Sequence, residues 1–223
     1  MKNLSKRLLL IPALIFCLII QTSCSLPRKT VDLYNELIVA YQQAQKAAAN
    51  GSATIGLGFN AIQNYTVMYN SYLSADVAKT KVYREALADY GSKLENQQKE
   101  YSGKDSSQLD LSQLVKNNAT PADMALNINA YVSTFTEAPL QGVNVESLTN
   151  TQRLVDVKYN QIFAGIVDWN EAVASYNEIR NKAAGDIVAR VAEYLKVKEL
   201  PEKLPYYSMK TDKLPEAPSF SVD

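Results

Sequence analysis

The sequence contains no histidine, and this absence excludes several kinds of site. A Ser-His-Asp or Cys-His nucleophile, a histidine-ligated zinc or haem, and a histidine pH switch all need that residue. The 23 basic residues are matched by 23 acidic ones, whereas a nucleic-acid-binding protein needs a basic surface. We therefore expect a non-enzymatic protein with no catalytic residue, no metal site, no cofactor and no nucleic-acid partner. Its 223 residues suit one domain, or at most two small ones.

The N-terminal region lacks an apolar run long enough to cross a bilayer as a helix, which takes about 20 residues. The run that is present, Leu8–Ile20, has 13 residues and follows the basic residues Lys2, Lys6 and Arg7. A short apolar run behind a basic segment is typical of a secretory signal peptide. We therefore predict that residues 1–23 are a signal peptide and not part of the fold.

Cys24 follows this run directly after Thr22 and Ser23, and small residues before a cysteine resemble a bacterial lipobox. In that motif the cysteine is lipidated and becomes the new N-terminus. The residue three positions before the cysteine is usually Leu, but here it is Gln21. The alternative is an uncleaved signal anchor, and in both cases the body faces the outside of the inner membrane. Ser25 is not an acid, which favours the outer membrane, facing the periplasm, in a cell with two membranes.

Cleavage before Cys24 would change the charge and the cysteine count of the mature chain. It removes three basic residues and no acid, so 20 basic residues face 23 acids and the net charge becomes −3. Cys17 is lost as well, and the single lipidated cysteine that remains cannot form a disulfide. Packing alone must then stabilise the fold, while the lipid holds the protein on the membrane.

Apolar residues in the second half of the chain recur at spacings of three and four, which place them on one face of a helix. The series is Leu148, Val155, Tyr159, Ile162, Ile166, Trp169, Val173 and Tyr176. It predicts a helix over about residues 147–183 that ends near Gly185.

The first half carries a longer apolar series in one register. It comprises Tyr34, Ile38, Tyr41, Ala48, Ile55, Phe59, Ile62, Thr66, Tyr69, Leu73, Tyr83, Leu87, Tyr90 and Leu94, with polar residues at Gln45, Ser52, Asp76 and Thr80. The sequence Asn50-Gly51-Ser52 is typical of a helix end, although the register passes through it unbroken. We predict one long helix with a kink around Gly51–Gly58, and the alternative is a hairpin at Asn50-Gly51.

Other helix boundaries complete the predicted fold. Thr120 and Pro121 predict a helix start, with Thr120 as the N-cap, and this helix runs to about Glu137. A further amphipathic segment spans Asp186–Leu200, and the residues on its apolar side are Ile187, Val191 and Leu195.

Together these elements predict an all-α fold, an antiparallel up-down bundle of long helices with an extended, proline-rich C-terminal tail. No strand or hairpin pattern stands between the apolar runs. The predicted divisions are a signal peptide at 1–23, a linker at 24–29, the helical bundle at 30–200 and the tail at 201–223.

Tyrosine is abundant, with 14 residues, and seven of them fall in the two apolar series. These side chains could line an aromatic groove for a peptide or a cell-wall fragment. In the other interpretation their rings lie in the core of a wide bundle and their hydroxyls at its edge. Asparagines beside such aromatic residues can set helix register by hydrogen bonding. The candidate interaction or register residues are Tyr34, Asn35, Trp169, Asn170, Tyr176 and Asn177.

One stretch combines these residues in a repeated pattern, Asp168-Trp169-Asn170-Glu171-Ala172-Val173 followed by Tyr176-Asn177. It resembles the D-Y-N-x-A-V-x-x-Y-N stretch of LemA family proteins. Further short motifs are similar to that family in the same order along the chain. Leu33–Ile38 is similar to the family's Y-N-x-L-V opening, Glu137–Leu140 to its E-x-Y-P-x-L and Tyr159–Ile162 to its E-N-x-I. Near the end, Pro205–Tyr207 is similar to the family's P-Y-F and Glu216–Pro218 to its E-A-P.

The resemblance covers most of the mature chain and implies an antiparallel helical bundle exposed outside the cytoplasm, without an established catalytic site. Two features differ from the family. The basic stretch before its L-I-P-N-L motif is missing, with Ala61–Tyr65 in that place, and a lipidation signal replaces the usual membrane anchor. We therefore expect an envelope lipoprotein, lipidated on Cys24, that acts as a binding or scaffolding module for an envelope protein partner. The alternative function is ligand binding in a tyrosine-lined groove.

Overall fold

A computed structural model of the protein describes residues 26–72, 77–135, 145–196 and 198–207. This part of the chain is mostly helical and contains no strand, so the all-α prediction is confirmed for it. The predicted signal peptide, Cys24 and the tail beyond Tyr207 lie outside the described residues. The helices are α1 (Leu26–Tyr72), α2 (Val77–Lys99), α3 (Leu111–Lys116), α4 (Pro121–Phe135), α5 (Val145–Asn181) and α6 (Ala183–Tyr194), with a 3-10 turn at Ser106–Gln108.

α1 runs without interruption through Asn50-Gly51-Ser52, so a continuous helix is confirmed and a hairpin at this point is wrong. The kink expected around Gly51–Gly58 stays a prediction. The reason that α1 continues lies in the neighbouring helix. Gly51 faces Gly165 of α5, and a Cβ atom added at Gly165 would lie 3.3 Å from the Cα of Gly51. Because neither residue has a side chain, the two backbones can approach closely. Gly51 therefore serves helix packing and does not end the helix.

The apolar series of the first half belongs to two helices, which corrects the interpretation of its register as one continuous helix. α1 ends at Tyr72 and α2 begins at Val77, although the register continues to Leu94. α2 lies back along α1, where the Gln63 Nε2 donates a hydrogen bond of 3.2 Å to Glu95. The register continues into α2 because both helices turn apolar side chains to one core. The four residues between the two helices include no glycine or proline that would mark a break in the sequence.

α1 and α5 form the largest contact between helices. The ring centroids of Tyr41 and Tyr176 lie 6.1 Å apart, and Gly51 meets Gly165 farther along the pair. Residue numbers therefore rise along α1 as they fall along α5, so these two helices run in opposite directions. The largest fully buried side chains of the core are Trp169, Tyr41, Tyr176, Phe59, Leu37, Ile55, Ile62 and Leu94.

α4 begins where Thr120 and Pro121 predict it. The Thr120 N–H donates to Asp123 Oδ2 at 3.0 Å, and the Asp123 N–H donates to Thr120 Oγ1 at 3.3 Å. This reciprocal pair satisfies N–H groups that the start of a helix leaves without partners inside the helix. α4 then packs against α2, and its Tyr131 ring meets Phe59 of α1 edge-on at 5.9 Å.

α6 buries a different side from the one that the sequence indicates. The apolar residues Ile187, Val191 and Leu195 are exposed, and the helix ends at Tyr194, short of the predicted Leu200. The side against the bundle consists of smaller residues, which are Gly185, Val188, Ala189 and Ala192. At Gly185 a side chain has no room, because the chain turns sharply between α5 and α6. A Cβ atom added at Gly185 would lie only 2.0 Å from the carbonyl oxygen of Ile179.

Candidate functional site

Four of the six predicted interaction residues lie together on α5. Trp169 and Tyr176 are seven residues apart, as are Asn170 and Asn177, and seven residues are close to two full turns of a helix. All four side chains reach the backbone of residues 198–207, which we call the C-terminal segment. Their partner is therefore a non-helical part of the same chain, whereas the sequence suggested contacts between helices.

The two asparagines bind the C-terminal segment as a second peptide strand would. The side-chain amide of Asn177 donates to the Leu204 carbonyl and accepts from the Leu204 N–H, both at 2.9 Å. Asn170 does the same with Tyr207, at 3.0 Å and 2.9 Å. Each amide thus presents one donor and one acceptor, which match the N–H and C=O of a single residue.

The spacing of these contacts follows from elementary geometry. Seven helical residues from Asn170 to Asn177 advance about 10.5 Å along α5. Three extended residues from Leu204 to Tyr207 cover about 10 Å. The two repeats therefore stay in step, and the C-terminal segment runs along α5 in the opposite direction.

Trp169 and Tyr176 complete the attachment from inside the core. The Trp169 Nε1–H donates to the Pro205 carbonyl at 3.0 Å, and the Tyr176 hydroxyl donates to the Pro201 carbonyl at 2.5 Å. Proline has no N–H and favours extended backbone, so its carbonyl is free to accept from the helix. Both aromatic side chains are fully buried, and burial raises the pKa of the Tyr176 hydroxyl well above its usual value.

The remaining predicted residues do not join this arrangement. On α1 the Tyr34 side chain is half-buried and the Asn35 side chain is exposed. Within the described residues, the hydrogen bonds from other helices to the C-terminal segment come from α3, α4 and α5, with none from Tyr34 or Asn35. Cys24, the predicted lipidation site, lies outside the described residues.

Besides an ion pair of 2.9 Å between Lys116 of α3 and Glu199, the structure adds two contacts to the C-terminal segment that sequence reasoning missed. Asn129 of α4 donates from Nδ2 to the Tyr207 hydroxyl. Lys198 places its ammonium group 4.3 Å from the centroid of the Tyr41 ring, within the range of a cation–π interaction. No local sequence pattern marks either residue, because their partners come from distant parts of the chain.

A polar position in the first apolar series has a similar role toward another non-helical part of the chain. Gln45 is buried, and its Nε2 donates to the Leu109 carbonyl and, at 3.5 Å, to the Ser107 carbonyl. Tyr41, four residues earlier, accepts a hydrogen bond of 3.2 Å from the Leu111 N–H, and burial raises the pKa of its hydroxyl. These contacts attach the chain before α3 to α1. In the sequence, Gln45 stands out because it is a polar residue within an otherwise apolar series.

The tyrosines of the two apolar series divide between core and edge. Tyr41 and Tyr176 are buried, whereas Tyr34, Tyr83 and Tyr90 are half-buried. The side chains of Tyr69 and Tyr159 lie outside the described part. A surface depression of about 600 Å³ lies between α1 and the end of α2. Its lining residues, among which Tyr101 is the aromatic one, are Ala49, Ser52, Ala53, Glu95, Gln98, Lys99, Tyr101, Ser102 and Lys104.

The described part of the chain contains no group of three or more Cys, Asp or Glu side chains placed to hold a metal ion. Across the same residues, no helix is both long and apolar enough to span a bilayer. Comparison with protein-family models, with curated proteins and with solved structures finds no match to this chain. The chemistry of the candidate site is thus that of its side chains alone. It binds peptide backbone through amide, indole and hydroxyl groups.

Proposed function

We propose that the protein is a LemA-like envelope lipoprotein whose helical bundle is a non-enzymatic binding and scaffolding module. One observation carries this proposal. The stretch that most resembles the LemA motif, Trp169 to Asn177, directs its amide, indole and hydroxyl groups to the chain's own backbone. Groups committed in this way hold the fold together and leave its outer surfaces to meet a partner.

We further propose that the whole body is an antiparallel up-down bundle with an extended tail. The contact pairs between helices support this arrangement. α1 and α5 run in opposite directions, and the Asn127 amide of α4 meets Gln97 of α2 at 3.1 Å while Tyr101 meets Ala119 at 2.8 Å. In those pairs, too, residue numbers rise along α2 as they fall along α4, so these two helices also run in opposite directions. Such a body is rigid and long, as presentation of a surface away from a membrane requires.

The proposed anchor lies immediately before the folded body. α1 begins at Leu26, within the range 24–29 that the sequence assigned to a linker. Only Ser25 lies between it and Cys24, and these two residue steps span at most about 7 Å. A lipid on Cys24 would therefore hold the first turn of α1 close to the membrane surface, on the periplasmic face of the outer membrane in a cell with two membranes.

Metabolic labelling with a fatty-acid probe tests the anchor. The wild-type chain should be labelled, whereas Cys24→Ala should not be. Cys17→Ala is the matched control, because this cysteine lies within the predicted signal peptide and should leave labelling unchanged. Equal labelling of wild type and Cys24→Ala would refute lipidation at this position.

Crosslinking in intact cells tests the scaffold. Photo-crosslinkers at the exposed positions Leu126 of α4 and Val167 of α5 should capture one reproducible envelope protein. The captured protein must bind the purified full-length chain to count as a partner. Recovery of only lipid and the protein itself would refute the scaffolding proposal.

Ligand binding in a tyrosine-lined groove is the second candidate, favoured by the depression that Tyr101 lines. A thermal-shift screen with cell-wall fragments and peptides tests it. A hit should raise the unfolding temperature of wild type but not of Gln98→Leu, which changes the lining of the depression. A screen without stabilisation would leave the scaffold as the better proposal.

A further inference from the structure

The outer side of α6 carries four large apolar side chains. The exposed fractions are 62% for Ile187, 40% for Val191, 69% for Tyr194 and 61% for Leu195. Spacings of four, seven and eight residues place them in one strip, roughly 100° wide, which we call the α6 strip. One exposed apolar residue is ordinary, but four in a contiguous strip mark an interaction surface.

The α6 strip is the part of the helix's apolar surface that the bundle does not reach. Next to it around the helix lies the buried side with Val188 and Ala192. The charged residues Asp186, Arg190 and Glu193 occupy the remaining side. The helix thus has more apolar surface than its contact with the bundle covers, which is typical of helices that lie at a membrane surface.

α6 lies at the end of the molecule where α1 begins. Tyr176 packs on Tyr41, so the last turns of α5 lie beside the part of α1 before Tyr41. The chain leaves α6 at the same end, because Lys198 lies over the Tyr41 ring. α6 also contacts α1 directly. The chain outside the described residues, 1–25, joins the body at this same end.

The distance from the proposed anchor to this surface is short. Two residues from Cys24 to Leu26 and seven helical residues to Leu33 span at most about 18 Å. The Leu33 side chain is among the first in α1 to be half-buried. A bilayer that holds the lipid of Cys24 is therefore within reach of α6, whereas the surfaces of α4 lie farther along the bundle.

The charged groups around the strip are largely paired within the protein. Arg190 is paired with Asp186, and Lys182 is paired with Glu178. Attraction of the strip to a bilayer therefore rests on its apolar side chains. The exposed Tyr194 combines an apolar ring with a hydroxyl, as side chains at the head-group level of membranes do.

We infer that the α6 strip lies in the head-group region of the membrane that holds the lipid of Cys24. This inference rests on the proposed function, since the lipid brings the strip to the membrane. The two attachments, lipid and helix, fix the orientation of the bundle, where a lipid alone would leave it free to rotate. The occupant of the strip is the bilayer itself.

Depth-dependent fluorescence quenching tests this. The full-length protein is reconstituted, with its lipid, into vesicles of phosphatidylethanolamine and phosphatidylglycerol, part of which carry bromine in their acyl chains. Tyr194→Trp introduces a reporter at an exposed position, and the natural Trp169 is fully buried and supplies only a constant background. Leu126→Trp on α4, with an exposed fraction of 53%, is the matched control at a position farther along the bundle.

The reporter of Tyr194→Trp should lose roughly a third or more of its added fluorescence in brominated vesicles. The reporter of Leu126→Trp should lose none. Adding Ile187→Asp and Leu195→Asp to Tyr194→Trp should abolish the quenching, and circular dichroism should show an unchanged helix content because both residues are exposed. Equal quenching at both reporters, or none at position 194, overturns the inference.

Fatty-acid labelling of the same samples separates this inference from the proposed function. Labelled protein without quenching at position 194 refutes the α6 contact and leaves the lipoprotein proposal intact. Unlabelled protein with quenching refutes lipidation but supports the contact. Shielding of position 194 that depends on protein concentration and not on lipid would show a second copy on the strip and overturn the inference.

Discussion

The side chain of Asn177 and the backbone of Leu204 exchange two hydrogen bonds, each 2.9 Å long. Both residues are buried, so neither the amide nor the Leu204 peptide can turn to water if the other is removed. A donor or acceptor left unpaired in this way costs about 1–3 kcal/mol. This pair therefore joins the last described segment of the chain to the centre of the bundle.

Replacing Asn177 should weaken the whole fold. We expect Asn177→Ala to lower the free energy of unfolding by about 2–4 kcal/mol, because it leaves both Leu204 groups without partners. Urea unfolding followed by circular dichroism measures the change. Glu171→Ala, at an exposed position of the same helix, is the matched control and should change it by less than about 0.5 kcal/mol. Equal losses for the two variants would contradict the role of the amide.

The single tryptophan should report whether the C-terminal segment stays on α5. Asn170→Ala removes both hydrogen bonds to Tyr207. We expect that end of the segment to open and to admit water to the indole N–H of Trp169, since its acceptor Pro205 lies in the same segment. The emission maximum of Trp169 should then move to longer wavelength. An unchanged maximum in a folded Asn170→Ala protein would show that the segment is held without this amide.

The turn between α5 and α6 should not tolerate a side chain at Gly185. A Cβ atom there would meet the Ile179 carbonyl oxygen at 2.0 Å, so Gly185→Ala must move backbone and should destabilise by more than about 2 kcal/mol. Gly56→Ala is the matched control. Its Cβ would meet only the end of the flexible Gln98 side chain at 3.1 Å, and alanine gains roughly 0.5–1 kcal/mol within a helix. Equal effects in thermal unfolding would refute the steric argument.

Stability should fall in alkaline solution, in part through Tyr176. Burial raises the pKa of its hydroxyl above the unfolded value of 10.0, so the folded state favours the neutral form. This contribution to the free energy of unfolding is complete below pH 10 and is lost above it. Ionisation of the tyrosine then stabilises the unfolded chain, whereas the folded chain keeps the hydroxyl neutral. The stability difference between wild type and Tyr176→Phe should therefore shrink from pH 8 to pH 11. Tyr206→Phe, at an exposed position, is the control, and a difference that stays constant with pH would contradict this linkage.

The periodicity of the apolar residues was enough to predict most of the helical regions, but not the break between α1 and α2 or the end of α6. Spacings of three and four gave α5 within a few residues, and Thr120 with Pro121 marked the start of α4. These features are local, because a helix forms hydrogen bonds between residues four apart and its caps lie within one turn. The repeat of Trp169-Asn170 and Tyr176-Asn177 was also visible, and it correctly drew attention to the residues of the candidate site.

Tertiary contacts decided what those local features could not. The sequence around Gly51 is typical of a helix end. Gly51 nevertheless lies within α1, because it lets the backbone of α5 approach closely at Gly165. Two sides of α6 are apolar, and the bundle covers the one with smaller residues, which includes Gly185, where a side chain has no room. The asparagines of α5 were predicted as polar contacts, but their partners, Leu204 and Tyr207, lie 27 and 37 residues away along the chain. Sequence by itself determined which stretches favour a helix, whereas only the packing of distant segments decided where some helices end, which surfaces meet and which stay exposed.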